Sequence, residues 1–261
     1  MRIVTDGRAA LDKAVLALGM FDGVHIGHQV LLERAKVLAK RKGIPLVVCT
    51  FTDHPLAQIA PDRIPPALTT FQERAHLLEK AGVDLLFAQN FTDEVRNMPP
   101  EVYVGELMRR FYPTDIVCGY NHTFGKGGSG TSAFLAALGD ALGFRTEVVP
   151  QVTLDGEEVS SSVIRAALGK GDLRRANRLL GHPYSHRGIL LPETNGQYCF
   201  QKEMCNKQSL PSGKYRCVIV CDNTEKSWPC SAIVSDDGQI RLQLATGSGK
   251  QTAQLLFLSS R

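Results

Sequence analysis

Apolar runs of strand length alternate with segments of helical period through the first 150 residues of the chain. AVLALG (14–19) is continuous and apolar, as a strand buried on both faces must be. HQVLLERAKVLAKRKG (28–43) follows as a helix, with Leu31, Ala35 and Leu38 on one face, cations in its last turn and Gly43 at its stop. IPLVVCTF (44–51) and VDLLFAQ (83–89) predict strands on either side of the helix TTFQERAHLLEKAG (69–82). PPEVYVGELMRRFY (99–112) predicts a helix whose prolines stand in the first turn, where they are tolerated. TDIVCGY (114–120) and FRTEVVP (144–150) are strands flanking the helix TSAFLAALGDALG (131–143). This alternation implies βαβ units and a parallel sheet covered by helices on both faces, an α/β fold. Ligands of such sheets bind beyond the carboxyl ends of the strands.

Two further helices, SSVIRAALGKG (161–171) and DLRRANRLLG (172–181), each end in glycine. After Gly181 the pattern changes to short β-like runs, KYRCVIVC (214–221) and SAIVSDDGQIRLQL (231–244), the second broken by an Asp-Gly turn. Two domains are therefore expected, 1–182 and 183–261, the second small and β-rich.

Composition narrows the class. The 261 residues are 43% hydrophobic and 21% charged, ordinary for a globular chain with a core of normal size. A net charge of +4 suits an anionic small substrate and is too weak and too dispersed for nucleic acid. No apolar run approaches the ~20 residues that cross a bilayer. The N-terminal MRIVTDGRAALDK has no apolar signal segment, so a cytoplasmic location with reduced thiols is expected. Five of the seven cysteines (Cys199, Cys205, Cys217, Cys221, Cys230) fall in the last third, but none forms a CxxC pair, so a zinc site is not expected.

Four segments carry candidate chemistry. GMFDGVHIGH (19–28) joins a strand end to a helix start. Gly19, Gly23 and Gly27 let backbone approach a ligand, and the helix start presents unpaired amides to an anion. His25 and His28 flank that start. They do not match the two-histidine metalloprotease signature, which needs spacing i and i+4 and an intervening glutamate. Two exposed loop histidines would be the alternative. VSSSVIRAAL (159–168) offers Ser161, Ser162 and Arg165 as a second phosphate grip, or a plain serine cap with a solvated arginine. VCGYNHTFGKGGSG (117–130) contains GxGxxG, but its first glycine lies too far past the strand for a dinucleotide fingerprint. It reads as a glycine-rich loop over a nucleotide, with Lys126 near phosphate, or as simple flexibility. TFTDHP (50–55) puts Phe51 and His54 at the same sheet edge.

In this order the four segments resemble the FAD synthetase (FMN adenylyltransferase) module of bacterial bifunctional riboflavin kinase/FAD synthetases. That family shows G-x-FDGVH-x-GH, TF-x-PHP, VG-x-[DN]-F-x-FG and SST-x-IR segments; here they stand as GMFDGVHIGH, TFTDHP, CGYNHTFG and SSSVIR. The resemblance covers about residues 14–184 and includes ANRLLGHPY (176–184). It departs at Asp53, in place of proline, at Ser162, in place of threonine, and at His122, where an aromatic is usual. The family's kinase barrel carries a PTAN segment, absent here, while LPSGKYRCVIV (210–220) resembles one of its strands.

The resemblance implies a Rossmann-like HxGH nucleotidylyltransferase domain followed by a degenerate, barrel-like kinase remnant without riboflavin kinase activity. It implies ATP and FMN as substrates, with Mg²⁺. His25, His28 and Arg165 are the implied catalytic groups. Gly19, Phe21, Asp22, Gly23, Gly27, Gly119, Ser161 and Ser162 are implied for ATP; Phe51, His54, Asn121 and Phe124 for FMN. Asn121 is also the candidate for a magnesium contact. The alternatives are a bifunctional enzyme, a cytidylyltransferase, or a non-catalytic flavin- or nucleotide-binding relative.

Overall fold

A computed structural model describes residues 1–194, 196–203, 206–222, 227–244 and 250–260. Cys205 lies outside the described residues. The chain divides into two compact units, 1–65 with 74–153 and 66–73 with 154–261.

The first unit is built on a six-stranded parallel sheet. Its strands are β1 (Arg2–Val4), β2 (Ala14–Leu18), β3 (Leu46–Phe51), β4 (Leu85–Gln89), β5 (Pro113–Gly119) and, after a short hairpin β6 (Thr123–Phe124) and β7 (Gly130–Thr131), β8 (Arg145–Val149). The spatial order is β1-β4-β3-β2-β5-β8. From β2 the chain winds first toward β3 and β4, then returns to place β5 on the other side of β2. The crevice between β2 and β5 is thus the switch point where the loops leaving both strands diverge. Register puts Leu18 beside Cys49 and Cys118, so those loops start level at the carboxyl edge.

The expected helices are present. α1 (Ile26–Lys42) ends at Gly43, which holds φ 63°, a left-handed cap suited to glycine. It buries Leu31, Leu32, Ala35 and Ala39, one position round from the expected stripe, because Leu32 and Ala39 share the sheet-facing side. α2 (Leu56–Ile59) and, later, α4 (Asp93–Asn97) are too short for periodicity to reveal. α3 (Phe71–Lys80) is opened by a capping box, in which the Glu73 amide donates to Thr70 Oγ1 and the Thr70 amide to Glu73 Oε2. α5 (Pro100–Phe111) and α6 (Ser132–Leu142) complete the cover. The strand β1 was not predicted; RIV is too short to show a period, and pairing with β4 rather than local pattern defines it.

The second unit carries a hairpin, β9 (Thr153–Leu154) with β10 (Glu157–Glu158), then helices α7 (Ser161–Gly169) and α8 (Leu173–Leu180). Six antiparallel strands follow: β11 (Tyr184–Pro192), β12 (Gln197–Lys202), β13 (Gly213–Cys221), β14 (Ser227–Val234), β15 (Ile240–Gln243) and β16 (Gln251–Ser260). They close into a barrel in the order β11-β12-β15-β14-β13-β16. The Asp-Gly signal turns β14 into β15, with Gly238 at φ 78°. The second compact unit takes in both helices that precede residue 182, and one tie between α8 and the barrel is local. Asn177 on α8 donates to the carbonyl of Phe257 and accepts from the amide of Tyr184, which stitches the helix to two barrel strands. The ANRLLGHPY segment therefore packs with the barrel. Among the described residues, no helix is long and apolar enough to cross a membrane.

Candidate active site

The loop after β2 is held by conformations that ordinary side chains avoid. Phe21 adopts φ 54° and Val24 φ 38°, while Gly23 adopts φ 79°. A left-handed β-branched valine costs of order 1–3 kcal/mol and persists only where its surroundings enforce it, as functional loops do. Phe21 is fully buried, and Gly19 leaves it room: a β-carbon there would lie 3.2 Å from the phenyl ring.

His25, expected to flank the helix, is its N-cap. Its Nδ1 accepts the His28 amide at 3.3 Å, so the proton of the neutral ring sits on Nε2. The His25 and His28 rings stack with centroids 3.7 Å apart and planes 14° from parallel. Phe21 packs on His28 at 5.2 Å. Burial, then the neighbouring His25 and Arg74, hold the His28 pKa well below its ordinary 6.5, so the ring is neutral. His28 Nδ1 is buried with no hydrogen-bond partner, a costly arrangement. Ile26 and Gly27 begin α1, and their amides have no acceptor within the helix. Two neutral imidazoles and a helix start therefore converge on one place, an arrangement suited to an anion. Among the described residues no group of three or more His, Cys, Asp or Glu side chains could hold a metal ion. A divalent ion fits here only as part of a phosphate-bearing ligand, carried by its oxygens and waters.

One residue of this site escaped the sequence reading. Arg74 on α3 is buried, and its guanidinium donates to the carbonyls of Met20 at 2.9 Å, Phe51 at 2.6 Å and Thr52 at 3.1 Å. Its charge also faces Asp22 and Asp53. It ties the loop after β2 to the loop after β3. Asp22 is buried beside this cation, a structural position within the expected ATP loop. In the sequence Arg74 is one of two cations, with Lys80, in an amphipathic helix; only a guanidinium fork facing strand-end carbonyls reveals its use.

The loops after β3, β4 and β5 enclose a cavity of about 470 Å³, within the range of small-molecule sites. Phe51, Phe91, Tyr103, His122 and Phe124 supply its aromatic lining. Phe51 and Phe91 meet edge to face at 5.1 Å. Phe51 and Phe124 are thus brought together as expected. His54 and Asn121 are not in the lining. His54 Nδ1 accepts the Leu56 amide and caps α2, and Asn121 is exposed just past Gly119. His122 stacks on Phe124 at 5.7 Å, and burial lowers its pKa to about 4; its Nε2 is buried with no hydrogen-bond partner. The glycine-rich loop shapes the same cavity. A β-carbon on Gly125 would lie 2.8 Å from Pro100 Cα, and one on Gly130 would lie 2.6 Å from the Phe124 ring. Lys126 is exposed on the cavity rim.

In the second unit, Ser160 caps α7 by accepting the Val163 amide, so Ser161 and Ser162 are the first two helical residues. Arg165 is one turn in, and its Nε donates to the Pro66 carbonyl at 2.7 Å, which fixes the guanidinium.

A family model described as FAD synthetase matches residues 8–163. The bifunctional riboflavin kinase/FMN adenylyltransferase of Listeria monocytogenes is 34% identical over 190 residues, 72% of this chain and 60% of that protein. The protein of the same description from Bacillus subtilis is 35% identical over 182 residues, 69% of this chain and 57% of that one. A Listeria monocytogenes protein described as FAD synthetase is 34% identical over 186 residues, 71% of this chain and 74% of that one. The chain thus matches about three-fifths of the length of the bifunctional relatives. A crystal structure described as a macrolide-efflux protein from Streptococcus pneumoniae superposes with a TM-score of 0.86, covering 99% of this chain and 90% of that one; at 22% identity it shows a shared fold alone.

Proposed function

Because the chain belongs to the FAD synthetase family, we propose that it transfers AMP from ATP to the phosphate of FMN, giving FAD and pyrophosphate. One observation carries this reading most directly: a single sheet edge holds both an anion-binding helix start bearing two neutral imidazoles and a separate aromatic-lined cavity. A triphosphate needs the first and a flat heteroaromatic ring the second.

An FMN phosphate oxygen attacks the α-phosphorus of MgATP, a P–O bond forms, and the bond to the β-phosphate oxygen breaks as pyrophosphate leaves. The attacking phosphate is ionised at neutral pH, so no side chain has to remove a proton. The protein's part is positioning and stabilisation of charge on the leaving group. His25 Nε2 and the neutral His28 donate to triphosphate oxygens, together with the amides at the start of α1. Gly19, Gly23 and Gly27 admit the nucleotide to backbone, and Gly119 keeps the neighbouring strand end open. Ser161, Ser162 and Arg165 are assigned to the β- and γ-phosphates. Phe51 and Phe124 are assigned to the flavin ring. His54 and Asn121 act at the rim, Asn121 toward the FMN phosphate or the hydrated magnesium of the substrate.

The barrel keeps its closed topology but lacks the PTAN segment, and we assign it no riboflavin kinase activity. The test is an HPLC assay of the purified chain with MgATP and either FMN or riboflavin, with CTP as the nucleotide control. FAD from FMN and no product from riboflavin is expected. FMN from riboflavin overturns the assignment of the barrel. Pyrophosphate release with CTP but not ATP makes the chain a cytidylyltransferase, and binding without turnover makes it a flavin-binding relative.

A further inference from the structure

The barrel carries a pair of thiols that the proposed reaction does not use. Cys217 on β13 and Cys230 on β14 are direct partners on one rung of the antiparallel ladder. On β13 the inward positions are Tyr215, Cys217, Ile219 and Cys221, all buried, and on β14 the buried Ala232 and Val234 alternate in phase with Cys230. Both side chains therefore turn to the same side of the ladder as direct neighbours. Neither is in a disulfide. Directly opposed antiparallel residues have Cα atoms roughly 4.5 or 5.5 Å apart, within the roughly 4.4–6.8 Å that a disulfide accepts, so a small local adjustment of the two strands brings the sulfurs to bonding distance. Two cysteines on the same strand face offer no such alternative: Cys217 and Cys221 are four residues apart on β13, roughly 13 Å at the usual rise per residue.

We propose that Cys217 and Cys230 form a reversible intramolecular disulfide, a thiol-modification site that joins β13 to β14 when the chain meets a low-molecular-weight disulfide such as oxidised glutathione.

The two sulfurs play different parts. Cys217 is 1% exposed, whereas Cys230 is half-buried beside the exposed Pro229. The adjoining Cys217 lowers the pKa of Cys230, while Cys230 and burial raise that of Cys217. Cys230 is therefore the attacking thiolate. It displaces one glutathione thiolate and forms a mixed disulfide. Cys217 then gives up its proton and attacks the Cys230 sulfur, releasing the second glutathione. Two protein S–H bonds and one glutathione S–S bond become one protein S–S bond and two glutathione thiols.

The test uses the full chain equilibrated in glutathione buffers of increasing oxidised fraction, then acid-quenched, alkylated and mapped by peptide mass spectrometry. The expected result is a Cys217–Cys230 cross-linked peptide that rises with oxidised fraction and disappears on reduction, with Cys49 and Cys118 remaining alkylatable throughout. In Cys217→Ser, the mixed glutathione adduct should accumulate on Cys230. If both thiols stay alkylatable in the wild-type chain at the most oxidised poise, or Cys230 pairs with a different cysteine, the proposal is wrong. The wild-type mapping decides by itself, so a poorly folding variant does not weaken the test.

Discussion

His25 caps the helix on which His28 stands, and the two rings stack 3.7 Å apart. One imidazole thus has two functional ends: Nδ1 closes the helix start, and the proton of the neutral ring sits on Nε2. These ends separate by mutation. His25→Asn keeps a good capping group and removes the ring donor. It should leave the melting temperature near wild type while lowering kcat for FAD formation by roughly 10²-fold. His25→Ala should lose the cap as well, about 1 kcal/mol of stability. His28→Ala should lower kcat by roughly 10²–10³-fold. Steady-state assays with paired denaturation curves check all three, and near-normal turnover of His28→Ala would remove the histidine pair from the mechanism.

Arg74 makes three bonds to carbonyls of two strand-end loops, so its loss should be felt in binding as well as folding. Arg74→Ala leaves those carbonyls without their charged donor and is expected to cost roughly 2–4 kcal/mol of stability. Arg74→Lys keeps the charge but not the fork, and should recover less than half of that loss. Both should raise the KM for ATP and for FMN together, since the arginine joins the loop of one to the loop of the other. An effect confined to thermal stability would make Arg74 purely structural.

The difference between Arg74 and the histidines marks how far the sequence can be read. The parallel sheet was legible because its strands are continuous apolar runs, and the start of the next helix, within two residues of Ile26, because glycines and a strand end precede it. That His25 is the cap was not legible, since histidine is not among the usual capping residues. Arg74 was hidden because its partners are backbone carbonyls, which carry no residue identity. The boundary at 182 followed composition, whereas the compact unit follows Asn177, whose two bonds reach strands 7 and 80 positions away. Phe51 and Phe124 were legible through their motifs; the cavity between them needed Phe91 and Tyr103 from helices and loops without motif character.

Buried neutral histidines give the first unit a pH dependence of known sign. His122, with a folded pKa of about 4 against 6.5 unfolded, binds its proton more readily when unfolded. Between those values the unfolded chain holds more protons, so stability falls as pH falls through that window. Each such group contributes a slope of up to about 1.4 kcal/mol per pH unit. His28 adds to the loss in the same direction. His122→Phe, which restores the usual aromatic, should reduce the slope by about one proton's worth in urea titrations at pH 4.5–6.5. The same variant should raise the KM for FMN more than that for ATP, because a hydrogen-bonding group is lost from the aromatic cavity. An unchanged slope would mean that His122 is solvated in the folded chain.

The GxGxxG pattern of the loop after β5 suggests a nucleotide cradle, but its glycines have distinguishable duties. Gly125 holds φ 72° and its missing β-carbon would sit 2.8–2.9 Å from three atoms of Pro100, mostly backbone that cannot step aside. Gly127 holds φ 63° with open space where a β-carbon would be. Gly127→Ala should therefore carry only the conformational penalty, about 1 kcal/mol. Gly125→Ala carries that penalty and a backbone clash, and should cost roughly 2–4 kcal/mol. Because Gly125 lines the aromatic cavity and packs on Pro100 behind it, Gly125→Ala should weaken FMN binding at least tenfold. ATP binding, assigned above to the start of α1, should change less than twofold. Calorimetric titration of the two variants with each nucleotide separates these outcomes. If Gly127→Ala were the variant that abolished ATP binding, the loop would be a phosphate cradle after all.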